Sequence, residues 1–355
     1  MGLFKPKAPK GTVALAARGV RYPIRMDNKK RNTRWWIMLS GVLTVTVAAA
    51  GAVKNHGLLS DVMQFSVSEN GEDTYGPAYG FLLRHMSQLR AGAPLPKVSL
   101  FDQGVSTAAL PIGVYPLSET FTLDFADPRT IDPMETAFME IDNTAYLELQ
   151  AELTANAEQS LVAPGAATVV LSGVTMTVWQ DYASGTVGSR PLWKPRMRQF
   201  SQPLTGANQD DQFPVKSQAA KVRSVTLGAI ATDADGGTVI VSDAITALRL
   251  IGDTENGNII GPNKANFKQL VNSQRMLAGG DVAALDAFYT AYFAEYGRHS
   301  NVINPLDFPN LRYEMQDAVS ASGATQVVAL LEELTTPPQN PGNRVTSAAL
   351  PEWAK

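Results

Sequence analysis

The chain has 355 residues, 45% hydrophobic and 18% charged, with 28 glycines and 22 prolines spread along its length. This is a globular composition with room for two domains that each bury a core, and so many turn formers favour short strands; the lack of cysteine excludes disulfides, thiolate catalysis and cysteine metal sites. The net charge of −3 hides a split: Met1–Arg34 carries ten basic residues (Lys5, Lys7, Lys10, Arg18, Arg21, Arg25, Lys29, Lys30, Arg31 and Arg34) against one acid, Asp27, so a basic arm suited to lipid headgroups or nucleic acid phosphates precedes an acidic body.

The opening residues, Met-Gly-Leu-Phe-Lys-Pro, lack the Ser or Thr of a myristoylation signal. After the arm, Trp35–Val53 runs for nineteen residues without a charge, about 29 Å as a helix and close to the thickness of bilayer hydrocarbon. Length alone leaves three readings open: a membrane anchor, an export signal cleaved at Ala48–Ala52, or a buried strand. Leu43, Val45 and Val47 alternate with Thr44 and Thr46, which is the period of a strand. On the strand reading Trp35 and Trp36 mark the boundary where the arm becomes the body and cap the first sandwich. On the anchor reading they form an interfacial belt.

Further along, Phe121–Phe125, Ala145–Leu153, Ala167–Trp179 and Lys221–Ile230 are rich in β-branched and aromatic residues and predict strands. Turn signals separate them at Asn70-Gly71, Pro164-Gly165, Asp235-Gly236-Gly237, Asn256-Gly257 and Ser322-Gly323. Helical pattern is confined to Thr136–Ile141 and Gly279–Gly297. The fold class is therefore mostly β, a sandwich or a barrel.

The two halves repeat an order of marks. Phe65–Gln88 and Leu248–Gln274 each hold a strand, Glu-Asn-Gly, a polar stretch, Gly-Pro, an aromatic and Ser-Gln, with Phe81 to Ser87 and Phe267 to Ser273 equally spaced. Downstream, Phe121–Pro133 matches Tyr292–Pro305, Leu147–Gln150 matches Tyr313–Gln316, and Thr168–Val174 matches Gln326–Leu334. Four matches in one order indicate a duplication. The offset of the Glu-Asn-Gly marks sets Ile37–Val47 against Arg223–Asp233. That second segment is charged and strand-like, so the repeat favours a strand for the first.

This duplication, the strand before Glu69-Asn70-Gly71, the segment Glu295–Val319, the basic arm and the Pro-rich connector Arg190–Gly206 together resemble the double jelly-roll major capsid proteins of membrane-containing icosahedral viruses, of the tectivirus and corticovirus type among bacteriophages. The resemblance implies two consecutive eight-stranded jelly rolls. Their bounds are an arm at 1–34, a first roll at 35–185, a connector at 186–220, a second roll at 221–340 and a tail at 341–355. It also implies a homotrimer that forms a pseudo-hexamer, tiles an icosahedral shell in the virion and assembles in the host cytoplasm. Partners would be neighbouring capsomers, penton and minor capsid proteins, and the lipids of an internal membrane touched by the arm, with packaged DNA the lesser alternative.

No catalytic constellation is present in the sequence. His56, His85 and His299 stand at no metal-ligand spacing, and neither a nucleophile elbow nor a phosphate-binding loop appears. Asp233–Asp243 departs from a calcium loop, with Gly237 at its fifth position and Ala244 where the closing glutamate would stand, and reads as a hairpin. The acid pairs Glu332–Glu333 and Asp210–Asp211 fall on expected loops or strand ends. The sequence thus predicts no enzyme, no metal, no cofactor and no small-molecule substrate. Its rivals are a membrane-anchored or exported two-domain β-sandwich that binds a glycan or host surface, and a jelly-roll glycan hydrolase.

Overall fold

The computed structural model describes residues 2–4, 8–27, 31–48, 53–106, 109–126, 146–163, 168–184, 194–204, 210–215, 221–241, 245–252, 258–260, 288–292, 310–317 and 325–335. In chain order the first half holds strands β1 (Gly2–Phe4), β2 (Gly11–Ala14), β3 (Arg21–Met26), β4 (Arg31–Val45), β5 (Met63–Glu69) and β6 (Glu72–Tyr79), helix α1 (Gly80–Ala91), strands β7 (Lys97–Val98), β8 (Gly113–Asp124) and β9 (Leu147–Leu153), the short helix α2 (Ala157–Leu161) and strand β10 (Val169–Ser184). The second half holds β11 (Lys194–Pro203), β12 (Asp210–Pro214), β13 (Lys221–Thr232), β14 (Thr238–Ile240), β15 (Ile245–Ile251), β16 (Asn258–Ile260), β17 (Phe288–Tyr292), β18 (Arg312–Asp317) and β19 (Thr325–Thr335).

Two sandwiches result. In the first, the sheet β1-β10-β4-β8-β7, with β2 also on β10, faces β6-β5-β9-β3. Alternation along β4 sends Trp35, Ile37, Leu39, Leu43 and Val45 into the shared core, where they meet Phe65, Val67, Leu147 and Leu149 of the opposite sheet. In the second, β14-β13-β19-β11, with β17 also on β13, faces β12-β18-β15-β16. Val225, Leu227, Ala329 and Leu331 pack there on Leu248, Leu250, Tyr313 and Met315. A parallel bridge between Met197 of β11 and Tyr75 of β6 joins one sheet of each sandwich into a single nine-stranded sheet.

Strand pairing bears out the duplication. β4 lies between β10 and β8 as β13 lies between β19 and β17, and β5 pairs with β6 and β9 as β15 pairs with β16 and β18. Val45 faces Val169 as Ala229 faces Val327, which agrees with the sequence offset to within two residues. Asn70-Gly71 turns the β5–β6 hairpin with both residues at positive φ (53° and 89°), the geometry such a two-residue turn demands. Asn256-Gly257, Pro164-Gly165, Ser322-Gly323, Thr136–Ile141 and His299 lie outside the described residues.

Three expectations are corrected. The arm boundary between Arg34 and Trp35 falls inside β4, and residues 11–14 and 21–26 are strands of the first sandwich, because β10 and β9 offer edges on which β2 and β3 complete their backbone bonds. The connector at 186–220 is likewise structured: it holds β11, which pairs along its whole length with β19, and β12, which pairs with β18. Gly279–Gly297 is strand at Phe288–Tyr292. Phe288 and Thr290 are buried under α1, and Tyr289 and Ala291 are buried in the second core, so the segment is apolar on both faces and its period is uninformative.

The anchor and export readings of Trp35–Val53 also give way, since residues 35–45 form a central strand. No helix among the described residues is long and apolar enough to cross a membrane. Trp35 is fully buried, donates from Nε1 to Asn32 Oδ1 at 3.0 Å and stands edge-on to Phe125 at 4.7 Å between ring centroids. Trp35→Ala should therefore lower unfolding free energy by about 3–5 kcal/mol in a denaturant titration. An unchanged midpoint would mean that the side chain serves a surface and not the core.

Candidate assembly surfaces

Of the ten basic residues singled out in the sequence, Arg18, Arg21 and Arg34 are paired with acids among the described residues. Arg18 bonds Glu158 and the carbonyl of Leu171, Arg21 reaches Asp73 at 3.0 Å and Glu152 at 3.6 Å, and Arg34 is held by Asp124. The Arg34 guanidinium also lies over the Trp36 ring, 5.3 Å from its centroid, while Trp36 Nε1 donates to Asp181 at 2.7 Å. Arg25 lies over Tyr146 at 6.0 Å, and both it and Lys10 are exposed. Arg31 starts β4. Lys5, Lys7, Lys29 and Lys30 lie outside the described residues. Trp35 and Trp36, taken as one boundary pair, part company: successive strand residues face opposite ways, so Trp35 enters the core and Trp36 lies half-buried on the outer face.

The seam between the rolls joins them through ring stacking, hydrogen bonds and ion pairs. Helix α1 of the first roll lies across the outer face of the second roll's β19-β13-β17. Phe81 stacks on Phe288 at 5.6 Å, His85 Nε2 and Thr290 Oγ1 share a hydrogen bond of 3.0 Å, and Thr226 Oγ1 donates to Met86 Sδ at 2.7 Å. Beside the helix, Asn55 donates to the carbonyls of Ser160 and Thr238 at 2.9 Å and accepts from Ile240 N at 2.6 Å, and Lys54 pairs with Asp233. Asp233 in turn caps its own hairpin, accepting from Gly237 N at 2.8 Å. A Cβ on Gly237 would lie 2.4 Å from the carbonyl oxygen of Gln159 in α2, so the hairpin docks there because that position carries no side chain.

Charge is buried at the same seam. Glu332 receives Arg90 Nη2 on both carboxylate oxygens at 2.5 Å, Arg223 Nη2 at 3.2 Å and the hydroxyl of Ser224. The two arginines also donate to the last carbonyls of the first roll's β8 region, Arg90 to Asp124 at 3.3 Å and Arg223 to Phe125 at 3.3 Å. Its neighbour Glu333 takes a bidentate bond from Arg198 of β11, at 2.9 and 2.6 Å. Of the loop or strand end expected for Glu332 and Glu333, the structure gives the strand end: both lie near the end of β19 and are buried. No sequence signal marked them, since their partners are distant in the chain.

Burial alone would raise the Glu332 carboxyl, but Arg223, Arg90 and the Ser224 hydroxyl outweigh it and bring the pKa to about 2. Glu119 of β8 is held by Ser60 N at 2.5 Å, Ser60 Oγ at 2.8 Å and Arg84 Nε at 3.0 Å, yet burial keeps its carboxyl above the usual range. The two contribute with opposite sign. Glu119 favours the folded state while protonated and loses that contribution as pH rises through its folded value. Glu332 contributes above its ordinary value of 4.5 and loses the contribution as pH falls towards about 2.

On the first roll the sheet equivalent to this covered face is open. Across β10-β4-β8, Val170, Thr44 and Val114 form one row and Ser172, Val42 and Pro116 the next. Val114 is 66% exposed and Val170 48%, with Ile112 beside them at 66%. Every side chain these strands show outward from Met38 to Thr44, Val114 to Thr120 and Val170 to Thr177 is uncharged.

No protein-family model matches the chain, and no curated protein matches it. Solved structures do. The STIV MCP, from Sulfolobus Turreted Icosahedral Virus, superposes with a TM-score of 0.66 at 12% identity, over 94% of this chain and 96% of that one. The major capsid protein P2 of bacteriophage PM2 gives 0.52 at 13%, over 93% and 98%, and the Faustovirus major capsid protein 0.53 at 10%, over 94% and 91%.

Removing Glu332 as Glu332→Ala leaves two arginines buried without their counter-charge and should cost about 3–5 kcal/mol of stability. In thermal melts from neutral pH down to about pH 2, wild type should lose on the order of 3 kcal/mol that Glu332→Gln does not lose. Parallel acid profiles for the two proteins would refute the assignment. Over more than nine-tenths of its length, this chain has the double jelly-roll fold of those viral capsid proteins.

Proposed function

We propose that the protein is a major capsid protein that forms the shell of an icosahedral virus with an internal membrane, its role structural and not enzymatic. The observation that carries this reading is the match of both rolls and the strand between them to capsid proteins, over 94% of this chain and 96% of the STIV MCP. Three copies, each supplying two similar rolls, give six uprights and a footprint that tiles a hexagonal lattice. The site of action is the virion capsid, reached after assembly in the host cytoplasm, and the sequence resemblance favours a bacteriophage. Neighbouring capsomers, penton and minor capsid proteins are the partners.

The anionic surface of the internal membrane is the partner proposed for the basic residues not taken up by acids. Lys10 and Arg25 are exposed, and Lys5, Lys7, Lys29 and Lys30 lie close to them in sequence. Attraction of this kind is screened by salt and depends on lipid charge.

Two measurements test the proposal. Purified without detergent, the chain should run in light scattering at three times its mass of 38.1 kDa and form closed or sheet-like assemblies under the electron microscope. A detergent-dependent monomer would overturn it. In liposome flotation the protein should bind vesicles of phosphatidylglycerol at low salt and release at high salt, and the variant with Lys5, Lys7, Lys10, Arg25, Lys29 and Lys30 changed to Ser should not bind. Equal binding to neutral phosphatidylcholine vesicles would remove the electrostatic role.

A further inference from the structure

We propose that the outward pair Trp36 and Trp179, at the end of the first roll where the chain starts, sits in the headgroup layer of an anionic bilayer. This rests on the membrane contact proposed above and deepens it, because it gives the basic arm an aromatic foothold on the sheet itself.

Strand ends come together there. β4 starts, β8 and β10 finish and β1 pairs at one end of the first roll: Phe4 faces Tyr182, Arg31 faces Ala183, and Arg34 faces both Asp181 and Asp124. The chain leaving β3 is tied to the same end, since Gln180 accepts from Asp27 N at 3.1 Å and donates to the carbonyl of Asp27 at 2.8 Å. The described residues on either side of Lys5 and Lys7, and of Lys29 and Lys30, therefore lie at this end. Trp36 and Trp179 are direct neighbours across the β4–β10 ladder and half-buried on its outer face, while Trp35, Ile37, Met176 and Val178 beside them fill the core. Cations flank the pair. The Arg34 guanidinium lies over Trp36, and beyond Trp179 the exposed Lys10 is fixed through its backbone N–H, which donates to Val178 O at 2.6 Å.

The pair also lies past the level of the described seam. By the offset that sets Val45 against Ala229, Ser40 matches Ser224, which bonds Glu332 beside Arg90 in the last turn of α1. From Ser40 the outward residues of β4 continue through Met38 to Trp36, whereas among the described residues the second roll's β13–β19 ladder ends at Lys221, the match of Ile37. An indole has an apolar body and a polar edge, and the boundary of a bilayer offers both environments at once. Lysine and arginine beside it suit anionic headgroups. Aromatic rings and cations placed side by side at one end of a sheet thus match the two layers of a lipid surface, the rings facing the tops of the acyl chains and the cations the phosphates.

The test is tryptophan fluorescence of the full chain on vesicles of phosphatidylglycerol and phosphatidylcholine, with acyl chains brominated close to the headgroups, since bromine quenches only indoles that reach it. Wild type should be quenched relative to unbrominated vesicles of the same charge. The double variant Trp36→Phe with Trp179→Phe should still float with anionic vesicles and lose most of that quenching. Flotation of wild type without quenching, or equal quenching in wild type and variant, overturns the aromatic contact and leaves the capsid and arm readings standing. Wild type that does not float overturns the arm reading and this one together. Hydroxyl-radical footprinting of unaltered protein gives a check that does not depend on the variant folding. Trp36 and Trp179 should be oxidised in the free protein and protected on anionic vesicles, and equal oxidation in the two states, which a pair buried between copies would show, sinks the proposal.

Discussion

A carboxylate taken out of water must be held by partners or give up its charge, and Glu332 keeps its charge because Arg90 and Arg223 reach it from opposite sides of the seam. Arg90 belongs to α1 of the first roll and Arg223 to β13 of the second. Their geometry is satisfied in only one relation of the two rolls. Around that fixed point, Phe81 can lie flat on Phe288, the Asp233 hairpin can reach α2, and β11 can touch β6. Loosening the ion cluster would expose not just a charge but the apolar surface that α1 covers.

The same constraint explains why two halves of common origin have diverged at corresponding positions. Phe288 and Val328 lie against a helix of their own chain and are buried, and Phe288 is the larger counterpart of Val114, while Val328 and Val170 are the same residue. Val114 and Val170 have no such cover within the chain, and the strands around them carry Thr, Ser and Pro, residues that tolerate water. Polar residues divide in the same way. Ser224 is buried and donates to Glu332, and Thr226 and Thr290 are buried and bonded to each other and to α1, whereas Ser40 and Thr175, in the matching part of the first sheet, bond each other at 2.7 Å and remain half-buried.

The strands and the duplication were legible in the sequence because both leave local traces: alternation in Leu43–Val47, Asn-Gly at a tight turn, and Ile-Asp-Pro answered by Ile-Asn-Pro. What escaped were features set by distant partners. Helix α1 was hidden because its polar residues Arg84, His85, Ser87 and Gln88 are buried along with its apolar ones, so it has no clean amphipathic stripe. Strand β3 was hidden by its charge, since Arg21 and Arg25 are exposed and the strand gains its place from the edge of β9, and β2 by its length of only four residues. The acids paired with Arg21, Asp73 and Glu152, come from far along the chain, and a count of charges cannot foresee them.

Strand β11 carries a last consequence. Two rolls on separate chains would have to find each other, and their encounter would weaken as the protein became dilute. Tied by one short strand that is itself hydrogen-bonded to β19 and touches β6, each roll meets its partner at an effective concentration in the millimolar range or above. That roll-to-roll contact is then settled during folding of the single chain, at any dilution.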